Sequence, residues 1–426
     1  MEAAGILFSV LFMFLFIGVP IAISLGIAAA LTMVITSNPQ YLASVPTRMF
    51  TQLDSFTLMA VPFFILAGNI MASGGISDRL IGFFALILKQ LPGRLSCISV
   101  VASGFFGAIS GSNPATVAAI GGITAPKMME RGYPKDVTAA IAASSGTLGV
   151  IIPPSIGMVT YAVTAGVSVT AIFLAGWVPG IMLILGLCIA NMIMCNKYDS
   201  PDKTSYPTSE YIKKFKDAFL ALLMPIIILG GIYSGVFTPT ESASVACVYS
   251  LIVSCFVFKE IDGKKLYKIF ADSCVSSAVV MFIISMSAPF SWFMTTENIP
   301  TILSTTIMTA FSSKYVILFA MNLLLLFLGC FLETQSIILL VTPILLPIAV
   351  ALGVDPIVLG LIIIVNTSIG MITPPMAVNL FVATGITKCS IGAVSKTILP
   401  YLILEFLILL AYMYIPLTFG FSVTLQ

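Results

Sequence analysis

The sequence lacks histidine altogether and is poor in charge, with 19 Lys and Arg and 17 Asp and Glu among 426 residues, or 8%. Without imidazole, His-based acid–base catalysis and His-ligated zinc are excluded. A soluble domain carries about 25% charged residues, so this composition cannot cover a water-exposed surface. The formal net charge of +2 is also too small for a nucleic-acid-binding surface. The chain is therefore predicted to be neither a soluble enzyme nor a nucleic-acid-binding protein.

Apolar residues are abundant instead, at 59% of the chain. At roughly 20 residues per span, they allow about a dozen membrane segments. The eight cysteines form no C-x-x-C pair, which favours small core residues over a metal or redox site. The N-terminal apolar run has no basic region before it, so we interpret it as a first span and not a signal peptide. The fold class is predicted to be an all-α polytopic membrane protein.

Apolar runs and turn signals divide the chain into spans, hairpins and amphipathic stretches. The predicted spans are 5–35, 56–72, 137–163, 170–194, 219–236, 242–258, 276–294, 356–384 and 398–419. Two runs rich in Gly, Ser or Pro, 96–129 and 315–351, are predicted to be re-entrant helical hairpins. Two amphipathic stretches, 77–89 and 299–311, precede the hairpins and are predicted to lie in the membrane interface as arm helices. Ordinary connectors with an apolar face are the alternative for these stretches.

The orientation is predicted from five clusters of Lys and Arg in the connections between spans, since such loops stay cytoplasmic. All five lie on one side only if each hairpin enters and leaves by the same face. The first hairpin then opens inward and the second outward. The N-terminus is predicted to be cytoplasmic and the C-terminus to lie on the opposite side of the membrane.

Helix-breaking residues repeat at an offset of 221 positions. The matched pairs are Pro126 with Pro347, Gly132 with Gly353, Gly149 with Gly370, and Pro153-Pro154 with Pro374-Pro375. We predict two repeats of opposite orientation, 1–217 and 238–426, joined by a linker span at 218–237. Inverted repeats with discontinuous helices are typical of secondary transporters. A moving transport domain is predicted at about 96–163 plus 315–384, with the remainder as scaffold and arms.

The hairpin tips and broken spans are the predicted functional sites, because a helix break inside a membrane must face protein or a water-filled cavity. Freed carbonyl groups suit a hard cation such as Na⁺, so at least two Na⁺ sites are predicted and no covalent cofactor. The first would use Gly107, Ser110, Gly149, Ile152 and Pro154. The second would use Gly329, Gly370, Thr373 and Met376. The alternative is that these glycines only permit close helix packing.

A substrate is predicted to lie between the two tips. The candidate residues are Ser112, Asn113, Thr116, Ser145, Thr147, Asn366, Thr367 and Asn379. No Lys or Arg lies in these breaks, so an anion would depend on hydroxyls, amides, helix N-termini and bound Na⁺. A neutral polar substrate fits these residues equally well. Glu333 could tune the second cation site, and the sequence does not decide the role of Glu405.

Five motifs resemble the large membrane subunit of tripartite ATP-independent periplasmic (TRAP) transporters. They are GAISGS at 107–112, ATVAAIG at 115–121, GVIIPPS at 149–155, TPTE at 238–241 and GMITPP at 370–375. The resemblance covers nearly the whole chain. It implies a multi-pass protein of the bacterial inner membrane, so that the predicted outer side, with the C-terminus, is periplasmic. It implies an elevator mechanism and Na⁺-coupled uptake of an organic acid such as sialic acid or a C4-dicarboxylate. Relatives often have Ser at position 107, where Gly leaves only the carbonyl group.

The resemblance also implies two protein partners, a small four-helix membrane subunit and a soluble periplasmic substrate-binding protein. We expect the small subunit to be a separate polypeptide, because this sequence shows no additional four-helix segment. The nearest alternative is a self-sufficient Na⁺/dicarboxylate symporter with similar paired hairpins. The permease of an ATP-driven importer is a more distant alternative. An intramembrane enzyme is disfavoured, since histidine is absent and no aspartate pair lies in the spans.

Overall fold

The computed structural model describes residues 2–36, 39–201, 204, 206–311 and 313–419. Every regular element within those residues is a helix. Six helices are long and apolar enough to cross a membrane, and up to nine spans result if each bent helix pair counts as one. The prediction of an all-helical polytopic membrane protein is therefore confirmed. The predicted C-terminal end, at 420–426, lies outside the described residues.

The first half of the chain contains twelve α-helices among the described residues, several of them short because Gly and Pro interrupt the apolar runs. They are α1 Glu2–Phe16, α2 Ile21–Ile35, α3 Val45–Leu53, α4 Ala60–Ser73, α5 Ile76–Ile87, α6 Arg94–Ser110, α7 Asn113–Thr116, α8 Gly122–Glu130, α9 Lys135–Gly146, α10 Leu148–Ile151, α11 Ile156–Ala165 and α12 Val169–Met194. A π-helical stretch, Val117–Gly121, joins α7 to α8.

The described part of the second half contains ten further α-helices, of which α15 is the longest. They are α13 Thr208–Tyr233, α14 Pro239–Leu251, α15 Gly263–Thr296, α16 Ile299–Ala310, α17 Lys314–Gly329, α18 Thr334–Ala351, α19 Pro356–Gly370, α20 Val378–Thr387, α21 Ile391–Thr397 and α22 Leu399–Phe419. A second π-helical stretch, Ile252–Val257, extends α14.

Two helix pairs have the form of the expected hairpins. In the first, α6 ends at Ser110 and the chain turns through Gly111, at φ 58°, into α7 and α8, which pack against α6. In the second, α17 ends at Gly329 and packs against α18, which begins at Thr334.

Each hairpin is followed by an interrupted helix. The axis bends by 43° between the Lys135–Ile151 segment and α11. In the second half, α19 and α20 are separated by residues 371–377. The Pro153–Pro154 and Pro374–Pro375 peptide bonds are both cis. These are the breaks that the Gly and Pro residues predicted at 149–154 and 370–375.

The start of the chain differs from the sequence prediction. The single span expected over 5–35 is two helices, α1 and α2, which pack against each other. The chain turns between them at Gly18, whose φ is 87°, and at Pro20, which precedes α2. Each helix has 15 residues and is about 22 Å long, shorter than the roughly 30 Å bilayer core. A further helix, α3, occupies a region predicted to be a connector.

The two amphipathic stretches are helices, α5 and α16. Helix α5 buries Leu80, Ile81 and Phe84 and packs on α6 and α13. Helix α16 buries only Ile299 and Ser304 and packs on α15 and α18. Both therefore contact a hairpin helix directly, as an arm helix or a close connector would.

Candidate functional site

In the first half, the hairpin tip and the interrupted helix meet at two glycines. A Cβ atom at Gly107 would lie 2.8 Å from the Leu148 carbonyl oxygen and 3.0 Å from the Gly149 Cα. A Cβ atom at Gly149 would contact the Ser112 carbonyl oxygen. Only glycine allows this approach of two backbones. Three residues of the first predicted Na⁺ site, Gly107, Ser110 and Gly149, therefore lie at one crossing.

Oxygen atoms are concentrated at this crossing. The Ser110 and Thr116 hydroxyls are 3.0 Å apart, and Thr116 donates a hydrogen bond of 2.8 Å to the Ser112 carbonyl. Ser110 and Thr116 are buried. Ile152 and Pro154 lie in the break between α10 and α11, next to the crossing. The atoms available here to bind a cation are all oxygens, and a hard cation prefers oxygen ligands. The residues chosen from the sequence therefore fit a Na⁺ ion chemically.

The second half has an equivalent crossing. A Cβ atom at Gly329 would lie 2.8 Å from the Gly370 Cα, and one at Gly370 would lie 2.7 Å from the Gly329 carbonyl carbon. The Gly370 carbonyl accepts a hydrogen bond from the Thr373 N–H, and the Thr373 hydroxyl donates to the Ile369 carbonyl. Met376 lies in the 371–377 segment with its side chain 56% exposed, so only its backbone is available to an internal cation.

A chain of polar contacts joins the two halves. The Asn113 side chain accepts a 2.9 Å hydrogen bond from the Val150 N–H and donates one of 2.6 Å to the Ser368 hydroxyl. Ser368 donates in turn to the Thr147 carbonyl, over 3.1 Å. Asn113, Thr147 and Ser368 are fully buried. Asn379 adds a weaker link, donating to the Ala143 carbonyl over 3.4 Å. The first hairpin tip and both interrupted helices are thus held together.

A cavity of about 330 Å³ lies between the two hairpin tips and the helices α4 and α15. We name it the hairpin cavity. Its lining residues are Ile65, Asn69, Ser110, Gly111, Ser112, Asn113, Pro114, Ala115, Val150, Ile156, Val275, Ser276, Val279, Val280, Glu333, Thr334, Gln335 and Met371. Both tips therefore line one space, and a substrate site between them stays a prediction.

Only Ser112 and Asn113 of the predicted substrate residues line the hairpin cavity. The other six belong to the buried helix packing around it: Thr116, Ser145, Thr147, Asn366, Thr367 and Asn379. Each of them makes at least one internal hydrogen bond, although the Oδ1 atoms of Asn366 and Asn379 have no partner among the described residues. The Ser145 hydroxyl donates to the Ile141 carbonyl, and the Asn366 amide donates to the Asn322 side chain. For these six residues the placement differs from the prediction, because a polar side chain on an interrupted helix also serves to join helices.

Two amides of the hairpin cavity were missed in the sequence. Asn69 projects from α4 and donates a 2.9 Å hydrogen bond to the Ser273 hydroxyl of α15. Gln335 lies in the first turn of α18, and its buried Oε1 atom has no hydrogen-bond partner among the described residues. The sequence did carry a signal for Gln335, because this residue comes just after the second hairpin tip, as Asn113 comes just after the first. Asn69, a lone amide in an apolar helix, gave a weaker signal.

The electrostatic character of the hairpin cavity is set by backbone groups and one carboxylate. Among the described residues that line it, none is Lys or Arg and only Glu333 is acidic. The first turns of α11 and α18 reach it through Ile156, Thr334 and Gln335. The N–H groups of a helix's first turn lack intrahelical partners and favour an anion. The cavity thus offers anion-binding dipoles without a cationic side chain.

Glu405 is buried in α22, away from the hairpin cavity. Its Oε1 atom lies 3.3 Å from the Thr147 hydroxyl, and its Oε2 atom has no hydrogen-bond partner among the described residues. The Thr147 hydroxyl also donates to the Ser144 carbonyl, over 2.7 Å. Glu405 therefore faces the interrupted helix of the first half and not a subunit surface.

Comparison with known proteins gives three similar permeases. An isethionate TRAP transporter permease protein DctMQ from Oleidesulfovibrio alaskensis is 42% identical over 96% of this chain, which spans 65% of that protein. The C4-dicarboxylate TRAP transporter large permease protein DctM of Pseudomonas aeruginosa is 42% identical over 92% of both chains. The sialic acid TRAP transporter large permease protein SiaM of Vibrio cholerae is 34% identical over 90% of both.

A solved structure supports the fold. The YdaH transporter of Alcanivorax borkumensis, described as having an unusual topology, superposes with a TM-score of 0.64 and covers 91% of this chain and 90% of its own. Its sequence identity is 14%, so the likeness concerns the fold alone. The sequence profile described as "Tripartite ATP-independent periplasmic transporter, DctM component" matches residues 8–418. This chain therefore belongs to the DctM family of large TRAP transporter permeases, which are multi-pass membrane transport proteins and not enzymes.

Proposed function

We propose that this chain is the large permease of a TRAP system that imports an organic anion with the help of a periplasmic binding protein and drives the uptake with Na⁺. The observation that carries the proposal is the hairpin cavity, which combines two hairpin tips with helix N-termini and adjoins an oxygen-lined glycine crossing. Family membership supports the class of transporter. The oxygen-only donors at the crossing support the choice of cation.

A small carboxylate or sulfonate is the proposed substrate class. The two relatives at 42% identity are named for isethionate and C4-dicarboxylates, whereas the sialic acid relative is 34% identical. We therefore favour a small anion over sialic acid. Its negative charge would meet the N–H groups at the starts of α11 and α18 and the bound Na⁺ ions, because none of the described residues that line the cavity is Lys or Arg.

The proposed movement is that of an elevator. Asn113, Ser368 and Thr147 join the first tip to both interrupted helices, so 96–163 and 315–384 would move as one transport domain. Helices α4 and α15 form the opposite wall of the hairpin cavity and would belong to the fixed scaffold. Helices α5 and α16 would be the arms. The substrate would then cross the membrane with the moving domain.

Two partners are proposed, a soluble binding protein that delivers the anion and a small DctQ-type membrane subunit. The name DctMQ of the isethionate relative, of which this chain spans 65%, supports the second partner. The protein is proposed to lie in the bacterial inner membrane with its N-terminus in the cytoplasm. Lys and Arg in the loops after α8, α12 and α14 support that orientation.

Uptake by reconstituted vesicles tests the proposal. We expect accumulation of labelled succinate or isethionate only when an inward Na⁺ gradient, the small subunit and a loaded binding protein are all present. Uptake at full rate without a Na⁺ gradient would refute the cation assignment. Uptake by this chain alone would instead establish the alternative, a self-sufficient Na⁺/dicarboxylate symporter.

A further inference from the structure

A second, larger cavity of about 580 Å³ lies beside α3, α15, α16 and α18. We name it the Arg48 cavity. It contains one cationic side chain, Arg48, and none of the described residues that line it is acidic. Eight side chains of Ser, Thr, Asn and Gln also line it, among them Gln52, Ser291 and Asn298. Its charge is therefore opposite to that of the hairpin cavity, where the one charged side chain is Glu333.

Arg48 is held in place without being neutralised. Its guanidinium carbon lies 4.8 Å from the ring centroid of Trp292, a cation–π contact. Trp292 is itself fixed by an edge-to-face contact with Tyr41, at 5.3 Å between centroids. The Ser285 hydroxyl of α15 donates to the Met49 carbonyl over 3.2 Å, which anchors α3 beside Arg48. Within the part of the chain that the structure describes, Arg48 has no carboxylate or hydrogen-bond partner.

A planar guanidinium with free N–H donors binds carboxylates in a two-point, charge-assisted arrangement. No described residue accepts a hydrogen bond from the Arg48 guanidinium, so its N–H groups remain available to an anion. The side chains of Gln52, Ser291 and Asn298 donate no hydrogen bond within the described residues and can bind the remaining oxygen atoms of a small organic acid. The chemistry thus selects a carboxylate anion and disfavours a cation.

The two cavities lie along the same pair of helices. Helix α15 supplies Val280 to the hairpin cavity and Ser287 to the Arg48 cavity, seven residues or about 10 Å apart. Helix α18 supplies Gln335 to the first and Pro343 to the second, about 12 Å apart. Helix α15 starts in a lysine-rich segment and the Arg48 cavity lies near its other end, which the positive-inside rule makes extracytoplasmic.

We propose that the Arg48 cavity is a first binding site for an organic carboxylate on the extracytoplasmic face, from which the anion passes along α15 and α18 to the hairpin cavity. This inference rests on the proposed function for the class of anion and for the direction of movement. The site itself rests on Arg48, its contact with Trp292 and the polar lining. Nothing in it requires a Na⁺ site.

The fluorescence of Trp292 provides a direct test. The chain has two tryptophans, Trp177 and Trp292, so the full-length Trp177→Phe variant in nanodiscs reports Trp292 alone. Iodide, an anionic quencher, should quench it several-fold more strongly than in Trp177→Phe/Arg48→Gln, while the neutral quencher acrylamide should act equally on both. Succinate should protect Trp292 from iodide, and Arg48→Gln should weaken this protection about tenfold, as the loss of one charge-assisted contact implies.

Two further variants make the result decisive. Arg48→Lys keeps the positive charge, so its iodide quenching should match that of the protein with Arg48. It should show only part of the succinate protection, because lysine lacks the planar guanidinium that binds a carboxylate at two points. Lys314→Gln is the matched control, since Lys314 is a cation that does not line the cavity, and it should change neither measurement. Equal acrylamide quenching in every variant establishes that the fold around Trp292 is retained.

The proposal is overturned if succinate protection survives Arg48→Gln, or if chloride at the same concentration protects as well as succinate. Neither the iodide quenching nor the succinate protection requires a Na⁺ gradient, a binding protein or transport. If Arg48→Gln leaves succinate protection unchanged while Na⁺-driven uptake is normal, this site alone is refuted. If Arg48→Gln weakens succinate protection but the protein shows no TRAP-type uptake, the proposed function is refuted and the anion site is retained.

Discussion

Replacing Gly149 by alanine should separate the first hairpin tip from the interrupted helix. The new Cβ atom would lie 2.7 Å from the Thr116 hydroxyl and would contact the Ser112 carbonyl. The Thr116 distance is about 0.7 Å below the 3.4 Å at which ordinary contact begins. Because part of the obstacle is backbone, the clash cannot be relieved by a side-chain rotation alone, and the two elements must move apart.

The structural penalty and the effect on cation binding have different sizes. Overpacking of this kind costs about 1–3 kcal/mol, of which alanine in a helix recovers up to about 1 kcal/mol. A cation is more sensitive, since its ligand distances must hold within about 0.2 Å. We therefore expect Gly149→Ala to lose most of its Na⁺ binding while remaining folded.

Thermal unfolding of the purified protein in Na⁺ and in choline, at equal ionic strength, measures this effect. Under the proposed function, Na⁺ at 100 times its dissociation constant should stabilise the wild-type protein by about 2.7 kcal/mol, or about 3 °C for a chain of this length. Gly149→Ala should lose most of that Na⁺-dependent shift. Gly122→Ala is the matched control, because its helical Cβ would have no atom within 4 Å, and it should keep the full shift. An undiminished Na⁺ shift in Gly149→Ala would refute a cation site at this crossing.

Three further substitutions test the surroundings of the site. Asn113→Ala should lower the unfolding temperature, since it leaves the Val150 N–H unpaired at about 1–3 kcal/mol and removes the hydrogen bond that Ser368 accepts; an unchanged unfolding temperature would contradict the bridge. Glu405→Gln should leave thermal stability within about 1 kcal/mol, whereas Glu405→Lys should lose about 3–5 kcal/mol by burying an unpaired ammonium; equal stability of the two would contradict the burial. Gln335→Leu should raise the KM for uptake about tenfold without lowering the unfolding temperature, because its Oε1 atom has no internal partner to lose; an unchanged KM would remove Gln335 from the substrate site.

The interruptions of the helices were predictable from the sequence. Gly149 and Pro154, like Gly370 and Pro375, are residues that no continuous helix accommodates well, and the breaks lie at or directly after them. The turn at Gly18 and Pro20 carried the same signal. The long apolar run around it favoured a single span, and hydropathy alone does not distinguish one span from two short packed helices.

The division between residues lining the cavity and residues joining helices was not predictable. Ser145 and Thr147 lie within five residues of Val150, which lines the hairpin cavity, yet their hydroxyls donate to backbone carbonyls three or four residues earlier in the chain. Residue type and spacing do not specify which face of an interrupted helix meets a cavity, because that depends on helices distant in sequence. Asn69 and Gln335 enter the cavity for the same reason.

The hydrogen bonds from Asn113 to Ser368 and from Ser368 to Thr147 have a consequence for energy conversion. They join the first half of the chain to the second directly, through Asn113, which follows a residue of the first glycine crossing, and Ser368, which lies two residues from Gly370 of the second. An ion that tightened one crossing would therefore alter the other without any signal passing through the lipid-facing helices. We expect the two proposed Na⁺ ions to bind cooperatively. Few molecules would then carry one ion alone, and such molecules would dissipate little of the Na⁺ gradient.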